Sequence, residues 1–114
     1  MNRELLAEAV GNTPLVQLGE KLFAKLETYN PTGSIKDRMA YYVLSKAIEA
    51  GQLKDGDTIV EASSGNTGIA FSMLGAVMGH PVKIVMPCNM SEERKQMMKF
   101  YGAEIIEVGP SDFK

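Results

Sequence analysis

The chain has no tryptophan, a single cysteine and a single histidine among its 114 residues, and each scarcity removes a class of function. One thiol, Cys88, cannot close an internal disulfide, so nothing in the sequence asks for an oxidising compartment. One histidine and one cysteine cannot assemble the ligand cluster of a zinc site, so no metal is expected. His80, between Gly79 and Pro81 at the end of an expected helix, reads as a solvent-facing linker residue. Cys88 has no histidine beside it to activate the thiol and reads as an incidental small residue.

Long apolar runs are also missing. The most apolar stretch, Gly68 to Gly79, is too short to cross a bilayer and predicts a buried helix instead. The opening Met1-Asn2-Arg3-Glu4-Leu5-Leu6 places an acid inside any would-be signal-peptide core, so a cytoplasmic protein is expected. Twelve basic residues face fourteen acidic ones and lie singly or next to acids, which leaves no basic field for nucleic acid. Gly65 and Gly68 do not complete the Gly-x-Gly-x-x-Gly of a dinucleotide site. What is present, 45% apolar and 23% charged residues, suits an α/β domain with a real core.

The pattern alternates along the chain. Glu4 to Val10 predicts a short helix closed by Gly11-Asn12, and Pro14 to Leu18 with Leu22 to Glu27 predicts a hairpin turning at Gly19-Glu20-Lys21. Ser34 to Ala50 predicts a helix ended by Gly51, with an apolar stripe through Ile35, Met39, Val43, Ala47 and Ile48. A strand at Thr58 to Ala62, the buried helix, a strand at Val82 to Met86, a helix from Glu92 to Tyr101 and a strand at Glu104 to Val108 follow. Ser91 is the expected N-cap of that last helix, with Glu92 and Glu93 on its dipole and Gly102 closing it. Three strands spaced by two helices predict parallel βαβ units with right-handed crossovers. Met73, Met78, Met86, Met97 and Met98 are expected to fill the core.

Two segments carry chemistry. Lys36, in Asn30-Pro31-Thr32-Gly33-Ser34-Ile35-Lys36-Asp37-Arg38, falls in a first helical turn, where the positive end of the dipole disfavours an ammonium and favours the nucleophilic amine of a Schiff-base lysine. A capping box between Ser34 and Asp37 would explain the same residues without any chemistry. The strand at Asp57 to Ala62 runs through Ser63-Ser64-Gly65-Asn66-Thr67-Gly68 into the apolar helix, and such a turn offers free N–H groups and short hydroxyls to a carboxylate or phosphate. The plainer reading is a turn in which Ser64, Asn66 or Thr67 caps the helix.

Together with Gly11-Asn12-Thr13-Pro14-Leu15-Val16, Ala24-Lys25-Leu26-Glu27, Met86-Pro87, Met90-Ser91 and Gly102-Ala103-Glu104, these segments resemble, in order and over nearly the whole chain, the pyridoxal-phosphate enzymes of the cysteine synthase and cystathionine β-synthase family. The resemblance is strongest to bacterial cysteine synthases, which make cysteine from an activated serine and a sulfur donor. It implies the α/β fold of a fold-type II enzyme, an open parallel three-layer sheet in the smaller lobe preceded by a hairpin. Residues 1–33 would belong with the larger lobe and 34–114 with the smaller one. It also implies that Lys36 holds pyridoxal phosphate as a Schiff base and later takes the substrate α-proton. Ser63, Ser64, Gly65 and Thr67 would grip the substrate carboxylate, and Asn66 would contact the cofactor phenolic oxygen.

Thr32, Ser63 and Cys88 depart from the residues more usual in the family, and none removes a side chain that the mechanism needs. No Gly-Thr-Gly-Gly-Thr phosphate loop occurs, and the glycines after Gly68 are dispersed. The resemblance therefore implies an N-terminal portion of such an enzyme, inactive and weak in cofactor binding by itself. The implied partners are an amino-acid substrate, a missing C-terminal lobe, further copies of the chain and the C-terminal tail of serine acetyltransferase. A serine or threonine ammonia-lyase of the same fold, or a non-catalytic fragment that binds carboxylates or peptide tails, are the alternatives; the Ser-Ser-Gly-Asn-Thr-Gly form favours the synthase.

Overall fold

The computed structural model describes residues 3–112; Met1, Asn2, Phe113 and Lys114, at the ends of the two expected lobes, lie outside the described residues. Helix α1 (Arg3–Ala9) leads into an antiparallel hairpin of β1 (Leu15–Gly19) and β2 (Leu22–Lys25), with an irregularity in register between Gln17 and Gly19. A single 3₁₀ turn (Glu27–Tyr29) and a tight loop precede α2 (Lys36–Glu49). From there β3 (Ile59–Ala62), α3 (Asn66–Met78), β4 (Val82–Pro87), α4 (Glu92–Phe100) and β5 (Glu104–Val108) alternate. The three strands form one parallel sheet in the order β3-β4-β5, so each helix is a crossover between neighbouring strands. Helix α3 packs on both α4 and the sheet, which places the two crossovers on one face.

Helix α3 is apolar on all sides and is buried from Gly68 through Gly75, as an all-round apolar helix requires. Its one buried hydroxyl, on Ser72, donates to the Gly68 carbonyl at 2.7 Å and so leaves no unpaired polar group behind. The helix stops at Gly79, whose φ of 82° is the left-handed conformation that glycine adopts without a Cβ penalty. Strand β4 is central and the most buried strand, and Ile84 and Met86 meet Leu74 and Met98 in the fully buried centre of the core. Burying each such side chain stabilises the fold by about 1.5–3 kcal/mol. On the opposite sheet face Val60 and Ile106 stay exposed.

Three expectations are corrected by this packing. The apolar stripe expected on α2 does not face inward: Ile35, Met39 and Val43 are exposed, and the buried face runs through Asp37, Ala40 and Leu44, because that face meets α3. His80 is buried rather than solvent-facing. Its Nδ1 lies 3.0 Å from the Asp57 carbonyl oxygen, where a ring N–H must donate, and it ties the end of α3 to the approach to β3. Met97 is 38% exposed, whereas Met73, Met86 and Met98 fill the core as expected.

Candidate functional site

Lys36 is the first residue of α2 and its side chain is exposed. The capping box expected between Ser34 and Asp37 does not form. Ser34 Oγ accepts the Lys36 N–H at 3.2 Å, a local turn contact, while Asp37 turns the other way. The Asp37 carboxylate is completely buried and accepts the Thr32 N–H at 2.7 Å and the Thr32 hydroxyl, which closes the loop before the helix. Thr32, one of the departures from the family pattern, is thus a structural partner of Asp37.

Arg38 is held with equal firmness. Its guanidinium pairs with Glu27 and donates to Thr13 Oγ1 at 3.1 Å, and Thr13 in turn donates to Glu27. Asn30 completes the knot: its Nδ2 donates to the Glu27 carbonyl at 2.9 Å and its Oδ1 accepts the Gly11 N–H at 2.8 Å. The Arg38 guanidinium and the Thr13 hydroxyl hold the Glu27 carboxyl down to about 2. Asp37 and Glu27 are therefore committed elsewhere, and among the described residues no carboxylate pairs with the Lys36 amine.

The second segment is the turn from β3 into α3. Ser63 is buried, and its Oγ accepts the N–H groups of Gly65 at 3.2 Å and Gly68 at 2.8 Å. Ser63, and not Ser64, Asn66 or Thr67, is thus the side chain that caps the start of α3. A Cβ on Gly68 would lie 2.8 Å from Met98 Cε and 3.2 Å from Ser63 Cβ, so the glycine lets the helix start press against its cap. The N–H groups of Asn66 and Thr67 have no hydrogen-bond partner among the described residues, and no acid lies in the first turn. Ser64 and Asn66 are exposed and Thr67 half-buried, so the two free donors and two hydroxyls stand where an outside anion could reach them.

The structure brings Ser63, Ser64, Gly65, Asn66 and Thr67 together in one turn. Lys36 opens the neighbouring helix, α2, which packs along α3, and no hydrogen bond joins Lys36 to the turn. Two basic residues of α4 were not singled out by the sequence. Arg94 Nη1 donates to the Ser64 carbonyl at 3.0 Å. Lys95 is buried, pairs with Glu107 at 2.6 Å and donates to the Cys88 carbonyl at 2.9 Å. The Glu107 carboxylate raises the Lys95 ammonium above its usual range and is itself lowered by it. The Arg94 partner lies 30 residues away and the main acid partner of Lys95 12 away, so spacing along the chain does not announce either contact; the one local cue is Glu92, three residues before Lys95 and 3.8 Å from its ammonium. Among the described residues no group of acids, histidines and cysteines could hold a metal ion, and no helix is long and apolar enough to cross a membrane.

Comparison with known proteins puts these two helix starts in context. The chain is 47% identical over 110 residues to cysteine synthase B of Salmonella typhimurium, an alignment that covers 90% of this chain and 36% of that protein. It is also 47% identical over 116 residues to cysteine synthase B of Pseudomonas syringae pv. syringae, covering 96% of this chain and 69% of that protein. Among solved structures it superimposes on a hydrogen sulfide-producing enzyme from Fusobacterium nucleatum with a TM-score of 0.88 at 53% identity, over 96% of this chain and 35% of the other. Cysteine synthase from Entamoeba histolytica gives a TM-score of 0.88 at 42% identity, over 95% of this chain and 35% of that one. The chain thus spans about a third of the length of most of these relatives. A family profile described as pyridoxal-phosphate dependent enzyme matches residues 6–114, from α1 through both helix starts to the end of the sheet, and the chain belongs to that family.

Proposed function

We propose that the protein carrying this chain is a pyridoxal-phosphate-dependent cysteine synthase, which replaces the acetoxy group of O-acetyl-L-serine by sulfide, and that this chain supplies its Schiff-base lysine and its carboxylate cradle. The single observation that carries the proposal is the pair of helix starts: an exposed amine with no acid partner on α2, and unpartnered N–H groups on α3. These residues fit one end of the cofactor and its substrate. Lys36 would hold the cofactor aldehyde, Asn66 would contact the phenolic oxygen, and no residue of this chain offers the glycine-rich loop for its phosphate.

When bound, pyridoxal phosphate supplies an electron sink for the pair left by the departing α-proton. The chain's own residues do the rest. The hydroxyls of Ser64 and Thr67 and the N–H groups of Asn66 and Thr67 bind the substrate carboxylate, with Ser63 and Gly65 shaping the turn behind them. The Nζ of Lys36 would take the α-proton. The same open donors would accept a peptide C-terminal carboxylate, which is the reading under which the tail of serine acetyltransferase is a partner.

Residues 1–33 are proposed to belong with the larger lobe, because β1 and β2 form a sheet of their own and Leu15, Leu18, Leu22 and Phe23 are all exposed. That apolar surface also supports self-association, in a cytoplasmic setting. Reductive trapping tests the central assignment. After incubation with pyridoxal phosphate and borohydride reduction, peptide mapping is expected to find the label concentrated on Lys36. In Lys36→Ala it should be spread over the other lysines, and cysteine formation by the holoenzyme should fall about a thousandfold or more. A preferred label on another lysine of the unaltered protein overturns the assignment.

A further inference from the structure

We propose that Arg94 is a positioning residue for the carboxylate cradle, fixing the Ser64–Gly65 peptide so that the N–H groups of Asn66 and Thr67 stay open to a ligand carboxylate; this rests on the reading of that turn given above. The peptide is held at both ends. Its carbonyl oxygen accepts Arg94 Nη1 at 3.0 Å, and its N–H donates to Ser63 Oγ at 3.2 Å. A peptide plane held on both its polar groups cannot rotate without losing two hydrogen bonds, one of them from a charged donor.

Arg94 also lies flat against the glycine. A Cβ on Gly65 would stand 3.3 Å from the guanidinium carbon and 3.4 Å from Nη1, tight enough that a side chain there would push the guanidinium back by a few tenths of an ångström. The base of this strut is rigid as well. The next residue, Lys95, is buried and anchors the first turn of α4 to the sheet through Glu107 on β5 and the Cys88 carbonyl after β4. Arg94 and Lys95 thus reach in different directions from one turn of helix, one to the sheet and one to the cradle. The guanidinium, half-buried and unpaired with any carboxylate among the described residues, also adds positive potential beside the open donors.

The test uses the full chain with sodium acetate as the carboxylate probe and sodium chloride at equal ionic strength as the control. Amide hydrogen exchange and amide chemical shifts are followed by NMR in the unaltered protein, Arg94→Gln and Arg94→Lys. Arg94→Gln is expected to accelerate exchange at Gly65 and Gly68 at least tenfold, to leave Leu74 and Ile84 unchanged, and to weaken acetate binding at least threefold. Arg94→Lys, which keeps one charged donor, should recover part of both losses. Unchanged exchange in Arg94→Gln, acceleration spread evenly through the core, or a loss that lysine does not recover at all overturns the proposal. If acetate fails to shift any amide of the turn in the unaltered protein, the carboxylate reading fails, and the exchange comparison still decides whether Arg94 holds the peptide.

Discussion

The starts of α2 and α3 are the same device finished in two ways. In α2 the chain brings its own acids: Asp37 closes the loop onto Thr32, and Glu27 neutralises Arg38. In α3 the first turn contains no acid, one serine caps two of its donors, and the remaining donors are left unpaired. A helix start attracts negative charge wherever it occurs, so the useful variable is whether the chain has already supplied that charge. Where it has, the turn is a joint closed to an outside anion that presents only side chains outward, as α2 presents Lys36. Where it has not, the turn can receive an anion from outside.

The comparison can be broken from either side. The largest effect is expected from Asp37→Ala, which removes a fully buried carboxylate and strands the Thr32 N–H and hydroxyl; urea unfolding should show a loss of about 2–3 kcal/mol. A loss under about 0.5 kcal/mol would mean that the α2 joint is closed by something else. Ser64→Asp supplies α3 with the acid it lacks and should make it resemble α2. Acetate binding measured by amide shifts should weaken about tenfold, while unfolding free energy rises by about 0.3–1 kcal/mol. Unchanged acetate binding would show that the open donors are not where the probe sits.

The smallest effect is a matter of slope. Glu27 has its folded pKa lowered to about 2, against about 4.3 for an unperturbed glutamate. Its pairing therefore contributes its full stability above about pH 4.3 and loses it as the pH falls towards about 2, because the unfolded chain takes up the proton first. Denaturation curves collected across that window should fall more steeply for the unaltered protein than for Glu27→Gln. Parallel curves would remove Glu27 from the joint.

The alternation of strands and helices was legible because each βαβ unit repeats the same local grammar: a short β-branched run, a turn, then an apolar or amphipathic helix. The parallel pairing of the strands followed from the connections. The inward face of α2 was not legible, since Ile35, Met39 and Val43 make as good a stripe as Ala40 and Leu44, and only contact with α3 decides between them. In the site, Lys36 and the Ser63-to-Gly68 turn could be singled out from their place at helix starts. The division of labour inside the turn could not, because Ser63 is one of four short polar residues and its selection as cap depends on the path of β3 into α3. Arg94, Glu27 and His80 escaped for a common reason: each acts through a partner distant in sequence, respectively the Ser64 carbonyl, Arg38 and the Asp57 carbonyl.

Cys88 stands just past the end of β4 with its side chain exposed while its backbone is fixed on both polar groups, the N–H to the Val108 carbonyl at 2.9 Å and the carbonyl to Lys95. As the sole thiol in the sequence it is a ready attachment point for one fluorophore or one spin label, with no residue to be engineered in or out. A probe there would ride on the junction that anchors α4, and would report in real time on any rocking of that helix relative to the sheet.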